Sequence, residues 1–166
     1  MKNMNAKTLA YGGLLAALSL LLTMYVHVPM PMMAQGYVHL GDAAVMLSGL
    51  IMGPWGAIPA ALGSALADLM SGFGLYAIPT AIIKGVMALA AGAFLREEHG
   101  FSLKCALVLI LCELWMVLGY FVFEGFVYGW ATGVADLLGN AVQGGAGVVL
   151  GAVLCQVAPR LRKSAK

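Results

Sequence analysis

The sequence predicts an all-α, polytopic membrane protein: six transmembrane helices forming a single domain over residues 1–166, with both termini in the cytoplasm. Three observations lead there. Hydrophobic residues make up 62% of the chain and charged residues only 10%, with a mean hydropathy of +0.94. A soluble domain carries roughly 25% charge, so this chain has too little polar surface to cover itself in water. The apolar residues fall in runs near the ~20 residues a helix needs to cross the hydrocarbon, parted by proline and glycine. Finally, the basic residues are confined to alternate connections.

The first span is expected at Leu9–Val28, where Pro29 and Pro31 end it. The second, Leu40–Met52, is short and closes at Gly53-Pro54, a turn into the third span, Trp55–Met70. Ser71-Gly72-Phe73-Gly74 leads to the fourth, Tyr76–Leu95, and the polar stretch Arg96–Gly100 to the fifth, Leu103–Phe123. The sixth is expected at Val134–Val157, followed by the basic tail Arg160–Lys166. With six spans, Lys2, Lys7, Arg96, Lys104, Arg160, Arg162, Lys163 and Lys166 all lie on one side, eight of nine basic residues. The positive-inside rule makes that side cytoplasmic. The first span is read as a retained helix rather than a cleaved leader, since no small-x-small site follows it.

Several functions lack their signatures. There is no GxxxxGK[ST], so the chain does not hydrolyse ATP itself, and no HExxH or GxSxG for hydrolytic chemistry. Cys105, Cys112 and Cys155 sit in apolar runs without CxxC spacing, which points to reduced core thiols rather than a disulfide or a metal site. No cofactor and no nucleic acid are implied, and an enzyme is not expected.

Ionisable groups inside a span are costly and face the bundle interior or a wet cavity. Asp42, just after His39, opens the second span, and Asp68 ends the third. Lys84 lies two turns into the fourth, roughly 10–12 Å along it at 1.5 Å per residue. Glu124 is expected to close the fifth span, with Glu113 and Tyr120 on its stripe. Asp136, Asn140 and Gln143 share one face of the sixth. All but Glu113 converge on the outer half of the bundle, which predicts a pocket open to the outside. Each residue also has a bland reading: Asp42 and Asp68 as helix caps or partners of Lys84, His27 and His39 as interfacial rings, Asn140 and Gln143 as helix–helix glue. Small residues form two stripes on the first span, Ala6-Ala10-Gly13-Ala17 and Gly12-Ala16-Ser19, suited to a closely approaching helix of this bundle or of a partner.

The run Gly36-Tyr37-Val38-His39-Leu40-Gly41-Asp42 is followed by Gly53-Pro54-Trp55 and by Gly63-Ser64-Ala65-Leu66-Ala67-Asp68-Leu69. Together with Pro79 and Ile83-Lys84-Gly85, this series resembles the S components of energy-coupling factor (ECF) transporters, in the branch of riboflavin, hydroxymethylpyrimidine and pyridoxine-type carriers. The resemblance implies a vitamin-capture subunit in a bacterial cytoplasmic membrane. Such a subunit associates with a transmembrane coupling protein and two cytoplasmic ATPases and topples in the bilayer to deliver its ligand. It further implies docking through Ala10, Gly13 and Ala17, and a lid over Pro29–His39.

The substrate-binding candidates are Tyr37, His39, Asp42, Asp68, Tyr76, Lys84, Tyr120, Glu124, Asp136 and Asn140. Four acids against one lysine disfavour an anionic ligand. A neutral or weakly basic heteroaromatic ring suits them, together with Tyr37, Tyr76, Trp115, Tyr120 and Trp130. A pyrimidine or pyridine vitamin precursor is favoured, then riboflavin. The alternative is a stand-alone proton-coupled permease that uses Glu113 and Asp136 as relays.

Overall fold

The chain turns its polar side chains inward and its apolar ones outward. Asp42, Lys84, Glu113, Glu124, Asp136, Asn140 and Gln143 are buried, whereas Leu9, Leu62, Ile78, Leu111, Leu118, Phe126 and Val149 are exposed. In water this would strand both sets, but in lipid the exposed leucines face hydrocarbon and the bundle interior shelters the charges. The computed structural model describes residues 6–28 and 38–164. It is a helical bundle of α1 (Ala6–Tyr25), α2 (Gly41–Met52), α3 (Ala57–Met70), α4 (Ala77–Phe94), α5 (Leu103–Val127) and α6 (Trp130–Ser164).

By length and composition five helical segments are able to cross a membrane, α2 and α3 counting as one run, Gly41–Met70. That run is broken at the 3-10 turn Gly53–Gly56. Gly53 takes φ +67°, which suits glycine, and Pro54 cannot continue the helix's hydrogen bonding. The chain then folds back, and a Cβ on Gly56 would collide with the Ser48 carbonyl one helix earlier. Pro59 and Pro79 each fall in the first turn of a helix, where a missing N–H costs nothing.

Packing is set by backbone-to-backbone approach. Gly49 lies against the Ala88 carbonyl and the Gly92 amide, and Gly92 against Gly53, so α2 and α4 run side by side without room for a Cβ. Gly63 on α3 meets the Ala16 carbonyl and Ser19 of α1 in the same way. The Gly12-Ala16-Ser19 stripe is therefore used inside the bundle. The other stripe is not: Ala10, Gly13 and Ala17 are exposed, and a Cβ on Gly13 would meet nothing within 4 Å.

Helix ends depart from the sequence expectation in three places. α1 stops at Tyr25, and His27–Val28 pairs with Val38–His39 as a two-residue antiparallel ladder. Val28 precedes Pro29, which drives it out of the helical region. α5 runs on to Val127 instead of Phe123, so Glu124 is inside the helix rather than at its end, and Gly129 at φ +97° makes the turn into α6. α6 starts at Trp130 and continues through Pro159 to Ser164. Its 35 residues span about 52 Å at 1.5 Å per residue, longer than the ~30 Å hydrocarbon layer.

Beyond the apolar layer the basic end is tied together by polar contacts. Lys104 Nζ donates to Glu98 (2.9 Å), Ser102 Oγ also donates to Glu98, and Arg162 donates to the Glu98 carbonyl (3.1 Å). Ser102 caps α5 by accepting from the Cys105 N–H. Hydrogen bonds from the Lys104 ammonium and the Ser102 hydroxyl hold the partly exposed Glu98 carboxyl below the usual glutamate range. The three cysteines are free and buried.

Candidate functional site

The start of α2 and the middle of α4 bring the deepest charges together. Asp42 and Lys84 form an ion pair with each side chain 1% exposed. The second Asp42 oxygen accepts from Gln143 Nε2 of α6 at 2.8 Å, and Gln143 Oε1 accepts from the His39 N–H at 3.2 Å. His39 Nδ1 in turn accepts from the Gly41 N–H at 3.0 Å, satisfying a backbone donor at the start of α2. The Lys84 ammonium lies 5.4 Å from the centre of the Tyr120 ring. This layer is internally satisfied: α2, α4 and α6 are clamped through one aspartate.

One turn further toward the α1–α2 connection the contacts thin out. Tyr120 shares a hydrogen bond with Thr80 (2.9 Å), and Thr80 stands beside Asp68. Tyr76 OH donates to Glu124 Oε1 at 3.3 Å. Asn140 and Asp136 of α6 are neighbours of Glu124. Rings wall this layer: Tyr76 lies 4.9 Å from Phe123, 6.1 Å from Tyr128 in near-parallel orientation, and 6.2 Å from both Phe73 and Tyr120. Among the described residues, Asp68 Oδ2, Glu124 Oε2 and Asn140 Nδ2 are buried and have no hydrogen-bond partner. Buried polar atoms normally find one, so this layer is less fully satisfied than the one below it.

The sequence-derived set is thus largely assembled in two adjoining layers joined through Tyr120. Asp42 and Lys84, with His39 alongside, form the inner layer; Asp68, Tyr76, Glu124, Asp136 and Asn140 form the outer. Tyr37 and most of the segment Pro29–His39 lie outside the described residues. Two expected aromatics are not in the cluster. Trp115 points outward, its indole N–H bonded to the Ile83 carbonyl, and Trp130 is half exposed against Phe121 and Phe126. Glu113 lies within electrostatic reach of Asp42 and Lys84 but bonds neither; it packs on Gly147 with both carboxyl oxygens lacking a hydrogen-bond partner.

Sequence reasoning missed Thr80, Phe73, Phe123 and Tyr128. Thr80 was findable: Tyr76, Thr80 and Lys84 recur at four-residue spacing on one helical face. The three rings had no such signal, because aromatics at a helix end look the same whether they face lipid or a pocket.

Fold and site together define a polytopic helical membrane protein that keeps a ring-walled polar cluster at one end of its bundle. Residues 3–159 match the family model described as ECF-type riboflavin transporter, S component, and the chain belongs to that family. It is accordingly a membrane-embedded transporter subunit and not an enzyme. One relative, the thiamine precursor transporter HmpT of Lactococcus lactis subsp. cremoris (strain MG1363), is 31% identical over 158 residues, covering 95% of this chain and 88% of the relative. An uncharacterized protein of Pyrococcus woesei, named only by its position in a gap 3' region, is 34% identical over 130 residues, 78% of this chain and 86% of its own length.

Proposed function

We propose that this chain captures a vitamin or vitamin precursor with a flat heteroaromatic ring, of pyrimidine or pyridine type or riboflavin, for import by an ATP-driven ECF transporter. The observation that carries this reading is the set of buried, unpartnered polar atoms on Asp68, Glu124 and Asn140 beside the rings of Tyr76, Phe123 and Tyr128. The charge balance supports the ligand class. Lys84 is already neutralised by Asp42, so the outer layer offers Asp68, Glu124 and Asp136 and no free cation among the described residues. An anionic ligand would meet repulsion there, whereas a neutral or weakly basic ring would not. Asp42 and Lys84 form the floor, with Tyr120 above it. The name of the Lactococcus relative, a thiamine precursor transporter, favours a vitamin precursor.

In this reading the run Gly41–Met70 crosses as two short passes, giving six spans with both termini in the cytoplasm. The site end then faces outward, because Arg96, Lys104, Arg160 and Arg162 gather at the other end. The exposed face of Ala10, Gly13 and Ala17 docks on the transmembrane coupling protein, and two ATPases supply the energy. Reconstitution into liposomes tests this. Uptake is expected only with the coupling protein, the ATPases and internal ATP. Uptake by the chain alone under a proton gradient would instead favour a permease that uses Glu113, whose unpartnered oxygens are the observation behind that second reading.

A further inference from the structure

α5 and α6 are consecutive helices joined by a short turn at Gly129, so they run antiparallel, and the contacts between them keep one register. A Cβ on Gly147 would meet the Glu113 carboxyl. Four residues on, a Cβ on Gly151 would meet the Leu109 side chain, four residues back on α5. Residues at that spacing share a helical face, so the next rung sets Cys155 against Cys105. The two side chains are in hydrogen-bonding contact. Both thiols are free, with Cys105 0% and Cys155 2% exposed. Gly147 and Gly151 carry no side chain, which lets the helices approach closely on this face. A disulfide needs such an approach, with its Cα atoms within about 7 Å. Cys112 is turned elsewhere: its Sγ donates to the Met87 carbonyl of α4 at 3.7 Å.

The pair sits near the edge of the apolar layer, beneath the polar contacts around Glu98. Cys105 is in the first turn of α5, and its thiol donates to the Gly100 carbonyl at 3.4 Å. Cys155 has Glu98 and Arg162 within electrostatic reach. A water-sized oxidant therefore needs only a local opening of the 96–102 connection to arrive. We propose that Cys105 and Cys155 form a modification site, a facing dithiol that a small hydroperoxide converts reversibly into a disulfide joining α5 to α6. One thiol attacks the peroxide, the O–O bond breaks, and a sulfenic acid and one water result. The other thiol then displaces the sulfenic oxygen as a second water. Two thiols and one hydrogen peroxide thus become one disulfide and two waters, and a thiol reductant reverses the step by exchange. The bond lies roughly 28 Å along α5 from Glu124 at 1.5 Å per residue, so it staples the basic end without entering the candidate site. In the topology proposed above that end is cytoplasmic, where such bonds are transient and sense oxidants.

The test treats the full-length protein in detergent, reduced and then freed of reductant, with hydrogen peroxide. The protein is afterwards unfolded and its remaining thiols are labelled with a maleimide. Three labels before treatment and one after are expected, the one on Cys112, with peptide mapping finding Cys105 joined to Cys155. Dithiothreitol is expected to restore all three. Counting labels avoids the mass that oxidation adds to the eleven methionines. Cys105→Ser and Cys155→Ser are each expected to form no internal cross-link. Should either variant misfold, wild-type protein unfolded in urea before the peroxide step serves instead, and it is expected to lose the selective pairing along with the helix register. Three labels surviving a dose that oxidises methionine would overturn the proposal. So would a bond to Cys112 or to a second chain, or oxidation of either thiol that dithiothreitol does not reverse.

Discussion

Asp42 and Lys84 lie 42 residues apart in sequence and form a buried ion pair that also holds Gln143 of α6. The pair explains how a lysine survives in the middle of an apolar helix. Its charge is compensated on the spot, and the aspartate's second oxygen is occupied as well.

Breaking that pair is therefore predicted to be costly. Lys84→Met leaves an uncompensated carboxylate and Asp42→Asn an uncompensated ammonium, each removing about 3–5 kcal/mol. For a chain of this size that corresponds to a fall in thermal midpoint on the order of 10 °C. The double variant is expected to recover much of the loss. Detergent-solubilised unfolding curves for the four proteins give the coupling directly; additive losses would mean that the pair does not act as a unit.

The glycine contacts predict a second, purely steric failure. Alanine at Gly92 would drive a Cβ into the Gly53 backbone, where no side chain is free to move aside. Separation of α2 from α4 would carry Asp42 away from Lys84. Gly92→Ala is expected to lose the monodisperse peak in size-exclusion chromatography, while alanine at Gly13, with open space around it, leaves the peak unchanged.

Bulk on the exposed α1 face separates capture from assembly. Gly13→Leu and Ala17→Leu are expected to keep ligand affinity within about threefold, since both positions are exposed on the face of α1 turned away from the bundle. Both are expected to lose co-purification with the coupling protein. Retained assembly in both variants would remove the docking role of this stripe.

Glu113 is predicted to be a liability rather than a working part. A carboxyl buried against Gly147 with neither oxygen hydrogen-bonded carries a desolvation cost, and Lys84, the cation within reach, is already held by Asp42. Glu113→Gln is expected to raise the thermal midpoint by a few degrees and to leave ligand affinity unchanged. Loss of uptake in the Gln variant, with folding intact, would instead make Glu113 a proton relay.

Much of this arrangement was legible in the sequence because membrane burial is severe. A lysine, five acids and two amides inside apolar runs have few places to go, and their depths along the helices put most of them in one half of the bundle. The stripe on α6 was read correctly for the same reason: Asp136, Asn140 and Gln143 share a helical face, and all three are buried. What was not legible depended on partners distant in sequence. Nothing local shows that Gln143 holds Asp42, or that Trp115 spends its N–H on the Ile83 carbonyl and turns outward. Glu124 reads as a helix end because a carboxylate usually stops an apolar run; in the structure α5 continues to Val127, and the carboxyl turns inward to accept from the Tyr76 hydroxyl. Of the two small-residue stripes, the choice of which packs inward depended on Gly63 of α3, invisible from α1 alone.

Native mass spectrometry of the protein released from membranes tests most directly whether a solute lodges among the outer polar groups. One heteroaromatic molecule per chain is expected to add to the protein's mass, and to be lost when Tyr76 and Glu124 are replaced together. A bare polypeptide mass, or adducts of lipid alone that persist in the double variant, would contradict it.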